Sequence, residues 1–208
     1  MRTFRKVYQD ETLIVLDKPS GMLAVPGRGP DLQDCLSARV QAEVPSAAVV
    51  HRLDRDTSGL IVMALDAESQ RELSRQFAAR EVLKVYRAMV FGSPTEENGM
   101  IDLPLRKDFD RPPRHIVCHM HGRPAQTSWR IVQRFADRTL LEVQPITGRS
   151  HQIRIHLASL DHPILGDPLY AHDAALGMVE RLMLHAEQLT VTHPRTGERM
   201  TWQAECEF

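Results

Sequence analysis

At 208 residues the chain is long enough to bury a sizeable core as one domain with a sub-lobe or two. Lys and Arg total 26 against 27 Asp and Glu, a formal net charge of -1, which excludes a uniformly basic surface of the kind that grips nucleic acid everywhere. Cys35, Cys118 and Cys206 are odd in number and far apart, which excludes a disulfide framework and points to a reducing cytoplasm, and no apolar stretch reaches the length of a membrane span. The first residues, Met1-Arg2-Thr3-Phe4-Arg5-Lys6, run into polar sequence instead of a signal-peptide core.

In chain order, Leu13 to Leu16 reads as a strand, followed by turn chemistry at Lys18-Pro19-Ser20-Gly21 and Pro26-Gly27-Arg28-Gly29-Pro30. Leu32 to Val44 reads as a helix, and Leu60 to Leu65 as a buried strand rich in β-branched residues. Asp66 is placed to cap a helix running to about Arg80, with Leu73 and Phe77, four apart, on its buried face. Val82 to Val90 alternates, with Tyr86, Ala88 and Val90 on one side and Val85, Arg87 and Met89 on the other. Leu103 to Gly122 holds Pro104, Pro112 and Pro113 and reads as a loop or ribbon. Strands at Thr127 to Val132, Thr139 to Val143 and Leu189 to Thr192, with helices after Gly148 and around Ala174 to Val179, complete the pattern. The fold class is α+β with a mostly antiparallel sheet. There is no internal repeat and no linker.

Charge is unevenly spread along this pattern. Basic residues gather at Arg71, Arg75, Arg80, Lys84 and Arg87, and again at Arg106, Lys107, Arg111 and Arg114. Arginine suits phosphate because its planar fork donates two hydrogen bonds at once. Part of the first cluster has a plainer role, since Glu68/Arg71 and Glu72/Arg75 are spaced for ion pairs on one helix face.

One segment concentrates chemistry. His51-Arg52-Leu53-Asp54-Arg55-Asp56-Thr57-Ser58-Gly59 sets the carboxylate of Asp54 between two arginines, on a loop that enters the strand at Leu60. Catalytic groups are favoured on such loops because a rigid strand holds them while they stay accessible. Read alone, the aspartates are more simply turn formers with the arginines as surface partners.

The segment resembles the HRLDxxTSG signature of the RluA-type pseudouridine synthase family. Further matches follow in family order: Asp17-Lys18-Pro19-Ser20-Gly21, Lys84-Val85-Tyr86, Gly122-Arg123-Pro124-Ala125-Gln126-Thr127, and Thr147 to Leu157 with His162 to Asp167 after it. Arg181-Leu182-Met183-Leu184-His185-Ala186 adds a last one, so the resemblance spans about residues 10 to 205. It implies a single catalytic domain over 1–208, built on a long mixed sheet split into two lobes by a cleft. An early Asp17-Lys18-Pro19 leaves no room for the N-terminal RNA-binding module of S4 type carried by many family members.

The resemblance implies that uridine in structured RNA is isomerised to pseudouridine: the N1–C1′ bond breaks, the base turns, C5 joins the sugar and the C5 proton leaves. Asp54 is then the catalytic group, as nucleophile on the sugar or as base at C2′. Arg154 is the arginine that pairs with it, on a helix where Ile153, Leu157 and Leu160 mark a buried stripe while His151, Arg154 and Ala158 mark another, placed to face the cleft. Tyr86 is expected to stack on the target base and to help remove the C5 proton. Arg52 is expected to fill the space left by the extruded base. Ile155 and Leu184 are expected to line the uracil pocket, Lys18 and Arg149 to contact phosphate or the cleft, and Arg111 and Arg114 to bind RNA.

No cofactor and no metal are implied. The partners implied are 23S rRNA, tRNA or both, with no membrane, no protein partner and a monomeric, cytoplasmic enzyme. The short form suggests dual specificity for an rRNA hairpin and a tRNA anticodon loop, with a tRNA-only enzyme as the alternative. From another class, a non-catalytic RNA-binding or ribosome-associated protein on the same fold would have no reason to keep Asp54, Tyr86 and Arg154 together. Asp56-Thr57-Ser58-Gly59 superficially resembles an aspartic-protease triplet, but the extra Ser breaks it and no second copy supplies a dyad. His151 and His156 are five apart and lie on different helix faces, so they form no metal pair.

Overall fold

A computed structural model describes residues 3–208, which fall into two compact units: 3–84 with 185–207, and 85–184 with Phe208. The fold is α+β. In the first unit the apolar runs expected as strands form its centre. β1 (Arg5–Gln9) pairs antiparallel with β2 (Leu13–Lys18), and β2 pairs antiparallel with β4 (Ser58–Ala64). The short β3 (Ala48–Val49) also lies against β4. β11 (Leu184–Thr192) joins β4 in parallel, through His185 opposite Ser58 and Ala186 opposite Gly59, and β12 (Arg199–Gln203) closes a hairpin on it.

Leu13, Val15, Leu60, Val62, Leu73, Leu189, Val191 and Trp202 form the core of this unit. Two helices accompany it. α1 (Leu36–Glu43) is shorter than the expected Leu32 to Val44, because Pro30–Leu32 forms a separate 3-10 turn and the thiol of Cys35 caps the helix at Ala38 N–H. α2 (Ala67–Ala79) starts as expected, with the Asp66 carboxylate accepting from Ser69 N–H at 2.8 Å. It buries Leu73 and half-buries Phe77. On its outer face Arg75 forks between Glu72 and Glu81.

The second unit is antiparallel. β5 (Leu83–Phe91) pairs with β10 (Arg138–Pro145), β10 with β9 (Gln126–Arg134), and β9 with β6 (Asn98–Asp102). The alternation along β5 sorts as expected: Tyr86, Ala88 and Val90 face one core with Trp129, Leu141, Val143, Ile153 and Leu157, while Met89 faces another with Leu165 and Ala175. α3 (Gln152–Ala158) and α4 (Asp173–Gly177) are short. The proline-rich Leu103 to Gly122 stretch is a two-stranded ribbon of β7 (Leu105–Lys107) and β8 (His115–Val117). No helix among the described residues is long and apolar enough to cross a membrane.

Two polar groups in the first unit, one buried and one half-buried, carry measurable energy. Gln76 is fully buried, and its amide exchanges both hydrogen bonds with the backbone of Thr192, donating to the carbonyl at 2.7 Å and accepting from N–H at 2.9 Å. The side chain thus continues the sheet ladder at the end of β11. Gln76→Leu keeps the volume and strands both backbone groups, so it should cost about 1–3 kcal/mol in urea unfolding. A loss below about 0.5 kcal/mol, within ordinary surface variation, would show that the pair contributes nothing.

The second group is His51, whose ring stacks on Phe77 at 4.3 Å and whose Nε2 accepts from Val62 N–H at 3.0 Å. Protonation would destroy that acceptor, and burial, with the Lys84 charge adding to it, pushes the imidazole down to about 3. The unfolded chain, titrating near 6.5, therefore binds more protons below that pH. The contribution of His51 to stability is full above about pH 6.5 and falls as pH drops toward 3. His51→Gln retains an acceptor that does not titrate, so the fall in melting temperature between about pH 6.5 and 4.5 should be shallower than in wild type. An unchanged slope would assign the loss to other groups.

Candidate active site

Asp54 lies half-buried on the loop entering β4, as its motif predicted. The loop is held from beneath by the Lys18-Pro19-Ser20-Gly21 turn at the end of β2. Lys18 Nζ donates to the carbonyls of Pro19, Met22 and Arg55 at 3.1, 2.9 and 2.9 Å. Ser20 Oγ donates to the Asp56 carbonyl at 2.7 Å, and Gly21 N–H to that of Arg55 at 2.9 Å. Thr57 N–H returns to the Asp54 carbonyl at 3.2 Å and closes the turn.

This corrects the expectation for Lys18. Its side chain has 0% exposure and cannot meet phosphate; its ammonium is a structural peg that ties the carbonyl of Arg55, the residue after Asp54, to those of Pro19 and Met22. Arg52 does stand in solvent on the same loop, and Arg55 pairs with Asp56 at 3.0 Å. Downstream, His185 Nε2 faces the Ala204 carbonyl and so carries the proton, which leaves Nδ1 to accept from Ser58 Oγ at 2.9 Å. Gly59 has φ +106°, and a Cβ there would run into the Ala186 carbonyl. The Thr-Ser-Gly end of the motif thus seats β4 against β11, while its Asp end stays at the surface.

In the second unit, Arg154 on α3 is 3% exposed, and its fork is bidentate to Asp167: Nε to Oδ2 and Nη2 to Oδ1, both 2.7 Å. Asp167 Oδ1 also accepts from the N–H groups of Leu169 and Tyr170, at 2.9 and 3.2 Å. A buried guanidinium needs such a partner, because desolvating a lone charge costs several kcal/mol, on the order of the whole stability of a domain. Asp167 stood inside a matched motif, but sequence reading gave it no role. The Gly-Asp-Pro turn near an inward-facing arginine was the available signal.

The Gly122 to Thr127 and Thr147 to Leu157 motifs prove to be one network. Gln152 Nε2 donates to the Gln126 carbonyl and to Thr127 Oγ1, both at 2.9 Å, while its Oε1 accepts from Thr147 Oγ1 and Arg149 N–H. His156 Nε2 faces the Leu103 carbonyl at 3.0 Å, so its Nδ1 accepts from Thr127 Oγ1 at 2.9 Å. Burial holds this imidazole below its ordinary value and keeps it neutral, as the Nδ1 acceptor requires. The arrangement fixes the start of α3, and with it Arg154.

Tyr86 is half-buried on β5 and packs against the same core as Leu184. Ile155 lies in a separate cluster with Leu105 and Ala125, bordered by Val117 and Tyr170, so the two expected pocket residues are not in one cluster. Arg149 is half-buried and donates from Nε to the Pro124 carbonyl at 3.1 Å. On the β7–β8 ribbon Arg111 is exposed beside Asp108, and Arg114 rests over the ring of Tyr170, 5.3 Å from its centre. Among the described residues no cluster of three or more His, Cys, Asp or Glu is placed to hold a metal ion.

Comparison with known proteins agrees with these motifs. A family model described as RNA pseudouridylate synthase matches residues 12–159. The dual-specificity RNA pseudouridine synthase RluA of Escherichia coli (strain K12) is 49% identical over 203 residues, covering 97% of this chain and 93% of the relative. Its counterpart from Haemophilus influenzae is 44% identical over the same shares. Among solved structures, Human RNA Pseudouridylate Synthase Domain Containing 4 superposes with a TM-score of 0.75 at 25% identity, over 97% of this chain and 88% of that one. Human RNA Pseudouridylate Synthase Domain Containing 1 has a TM-score of 0.82 at 24% identity, over 98% and 83%, a likeness of fold. A family model covering residues 12–159 and relatives matched over nearly all of both chains leave one assignment: the chain belongs to the RNA pseudouridylate synthase family, isomerases acting on uridine in RNA.

Proposed function

We propose that this synthase has dual specificity, converting uridine to pseudouridine in a hairpin of 23S rRNA and in the anticodon stem-loop of tRNA, with Asp54 as its catalytic group. The observation that carries the assignment of Asp54 is the clamp beneath its loop. A buried ammonium and a serine hydroxyl hold the carbonyls of Arg55 and Asp56, so the backbone is fixed just where the carboxylate must be delivered. Identity of 49% to a dual-specificity relative supports the choice of substrates.

In this reading Asp54 attacks the sugar or takes a proton from C2′, the glycosidic bond breaks, and the freed uracil turns so that C5 bonds to C1′. Tyr86 stacks on the base and helps remove the C5 proton. Arg52, exposed on the Asp54 loop, fills the gap that the extruded base leaves in the RNA stack; flipping a base costs a few kcal/mol, which a stacked guanidinium offsets in part. Arg154, fixed by Asp167, supplies positive charge to the reacting carboxylate. Ile155 and Leu184 border the uracil, and Arg149, Arg111 and Arg114 hold the RNA. The enzyme works as one catalytic domain, a monomer without cofactor or protein partner, in the cytoplasm. That compartment suits three cysteines of which none forms a disulfide.

Asp54→Asn changes one oxygen for an amide and should abolish release of tritium from uridine C5 while RNA affinity stays near wild type. Appreciable release by the variant would remove Asp54 from the chemistry. Mapping pseudouridine in rRNA and tRNA of cells lacking the protein tests substrate choice; loss from tRNA alone would replace dual specificity by a tRNA-only enzyme.

RNA grip should be local and electrostatic. A short hairpin carrying the target uridine should react almost as well as the full-length RNA, and Arg111→Ala should lower the slope of log affinity against log salt by about 0.7–0.9, one phosphate contact. A wild-type slope in the variant, or a hairpin bound far more weakly than full-length RNA, would place the grip elsewhere.

A further inference from the structure

Tyr170 occupies a singular position in the second unit. Its ring centre lies 5.2 Å from Cζ of Arg154 on α3 and 5.3 Å from Cζ of Arg114, beside β8 in the ribbon. Its hydroxyl accepts from the N–H of His115 in β8 at 2.9 Å and shares a 2.7 Å hydrogen bond with Nδ1 of His151, the residue before α3. Its own N–H donates to Asp167, the carboxylate that holds Arg154. The side chain also borders the apolar cluster of Leu105 from β7, Ala125 and Ile155 from α3.

We propose that Tyr170 is a positioning residue that couples the RNA-gripping β7–β8 ribbon to Arg154. The physical case has two parts. Asp167 fixes the Arg154 guanidinium within its plane by a two-bond fork, but a fork alone leaves tilting about that edge soft. The negative face of the tyrosine ring opposes the tilt, and such a contact is strongest where water is excluded, as it is around Arg154. The hydroxyl performs the second task. It satisfies a backbone N–H of the ribbon and a ring nitrogen at the start of α3 with one oxygen, so displacement of the ribbon by RNA is felt at the helix that carries Arg154. Phenylalanine could do the first task but not the second.

The inference rests on the proposed roles of Arg154 and of the ribbon, and the test separates the two. Steady-state tritium release from a labelled hairpin is measured for wild type, Tyr170→Phe, Tyr170→Leu, Arg111→Ala and the Tyr170→Phe/Arg111→Ala double variant, below the melting temperature of each. Tyr170→Phe retains the ring and loses the ribbon bonds, so KM should rise about tenfold with kcat nearly unchanged. Tyr170→Leu also frees Arg154 to tilt and should lower kcat by about tenfold or more as well. Because Tyr170→Phe acts through the ribbon that carries Arg111, the double variant should raise KM by less than the product of the single effects.

A wild-type KM in Tyr170→Phe overturns the coupling, including the case where that variant merely melts earlier. So does a double variant whose effects multiply fully. Arg154→Lys, run alongside, reports on the underlying reading: turnover at the wild-type rate would refute a role for Arg154 itself, whatever Tyr170 does.

Discussion

A charged ammonium with no exposure must spend its hydrogens on protein oxygens, and Lys18 spends them on carbonyls at the foot of the Asp54 loop. Without partners, such burial would cost several kcal/mol and the group would neutralise or move to water. With them, the charge becomes a peg whose bonds are stronger than neutral ones. The consequence reaches the candidate active site directly. Arg55 O takes bonds from both Lys18 and Gly21, and Asp56 O takes one from Ser20, so the residues after Asp54 have little freedom to shift. Matches at Asp17 to Gly21 and His51 to Gly59, whose bonded residues Lys18 and Arg55 lie 37 positions apart, are thus two halves of one mount.

The second unit applies the same constraint to an opposite geometry. Arg154 is buried and needs a carboxylate, and Asp167 supplies it while accepting two backbone N–H bonds of its own turn. The Asp167 turn continues into Tyr170, which closes over the guanidinium. The start of α3 is fixed separately by Gln152, whose amide uses both ends. Polar networks inside a protein favour one arrangement only when every member is satisfied. Here the bonds run from the ribbon to the helix, which is why its motif residues are polar where a simple core would be apolar.

Strands with an apolar run were legible in the sequence. β2, β4 and the two faces of β5 follow from alternation and β-branched content, and the Asp66 cap from its position before a helical period. β1, β3, β6 and β12 were not seen, because each turns only one or two large apolar side chains inward, such as Ile101 in β6 and Trp202 in β12. A strand that contributes so little carries no periodic signal. The start of α1 was misplaced because a thiol, outside the usual capping set, ends the preceding turn. At the site, resemblance pointed to Asp54, but not to the depth of Lys18: a lysine before Pro-Ser-Gly reads as surface, and only the folded turn reveals carbonyls converging on it. The stripe of Arg154 read as one facing the cleft, and neither its burial nor its fork to Asp167 was legible, since an aspartate before proline is an ordinary turn former.

Balanced net charge looked like an argument against RNA and proved a poor guide, for a reason visible in the ion pairs. Much of the acid is spent on neighbouring arginines: Asp34 on Arg39, Glu72 and Glu81 on Arg75, Glu142 on Arg87 and Arg130, Glu97 on Arg134. Each exposed pair of this kind contributes little to stability, but together they cancel charge within each unit. The ribbon differs. From Leu105 to Val117 it carries Arg106, Lys107, Arg111 and Arg114 against Asp108 and Asp110, and Asp108 is buried with its carboxylate accepting from N–H groups of Asp110 and Arg111. Since charges beyond about 8 Å are largely screened at physiological salt, phosphate near the ribbon responds to that local surplus and hardly at all to the sum over the chain. What the ribbon presents to a phosphate is therefore set by its own residues, and the near-zero net charge of the chain says little about it.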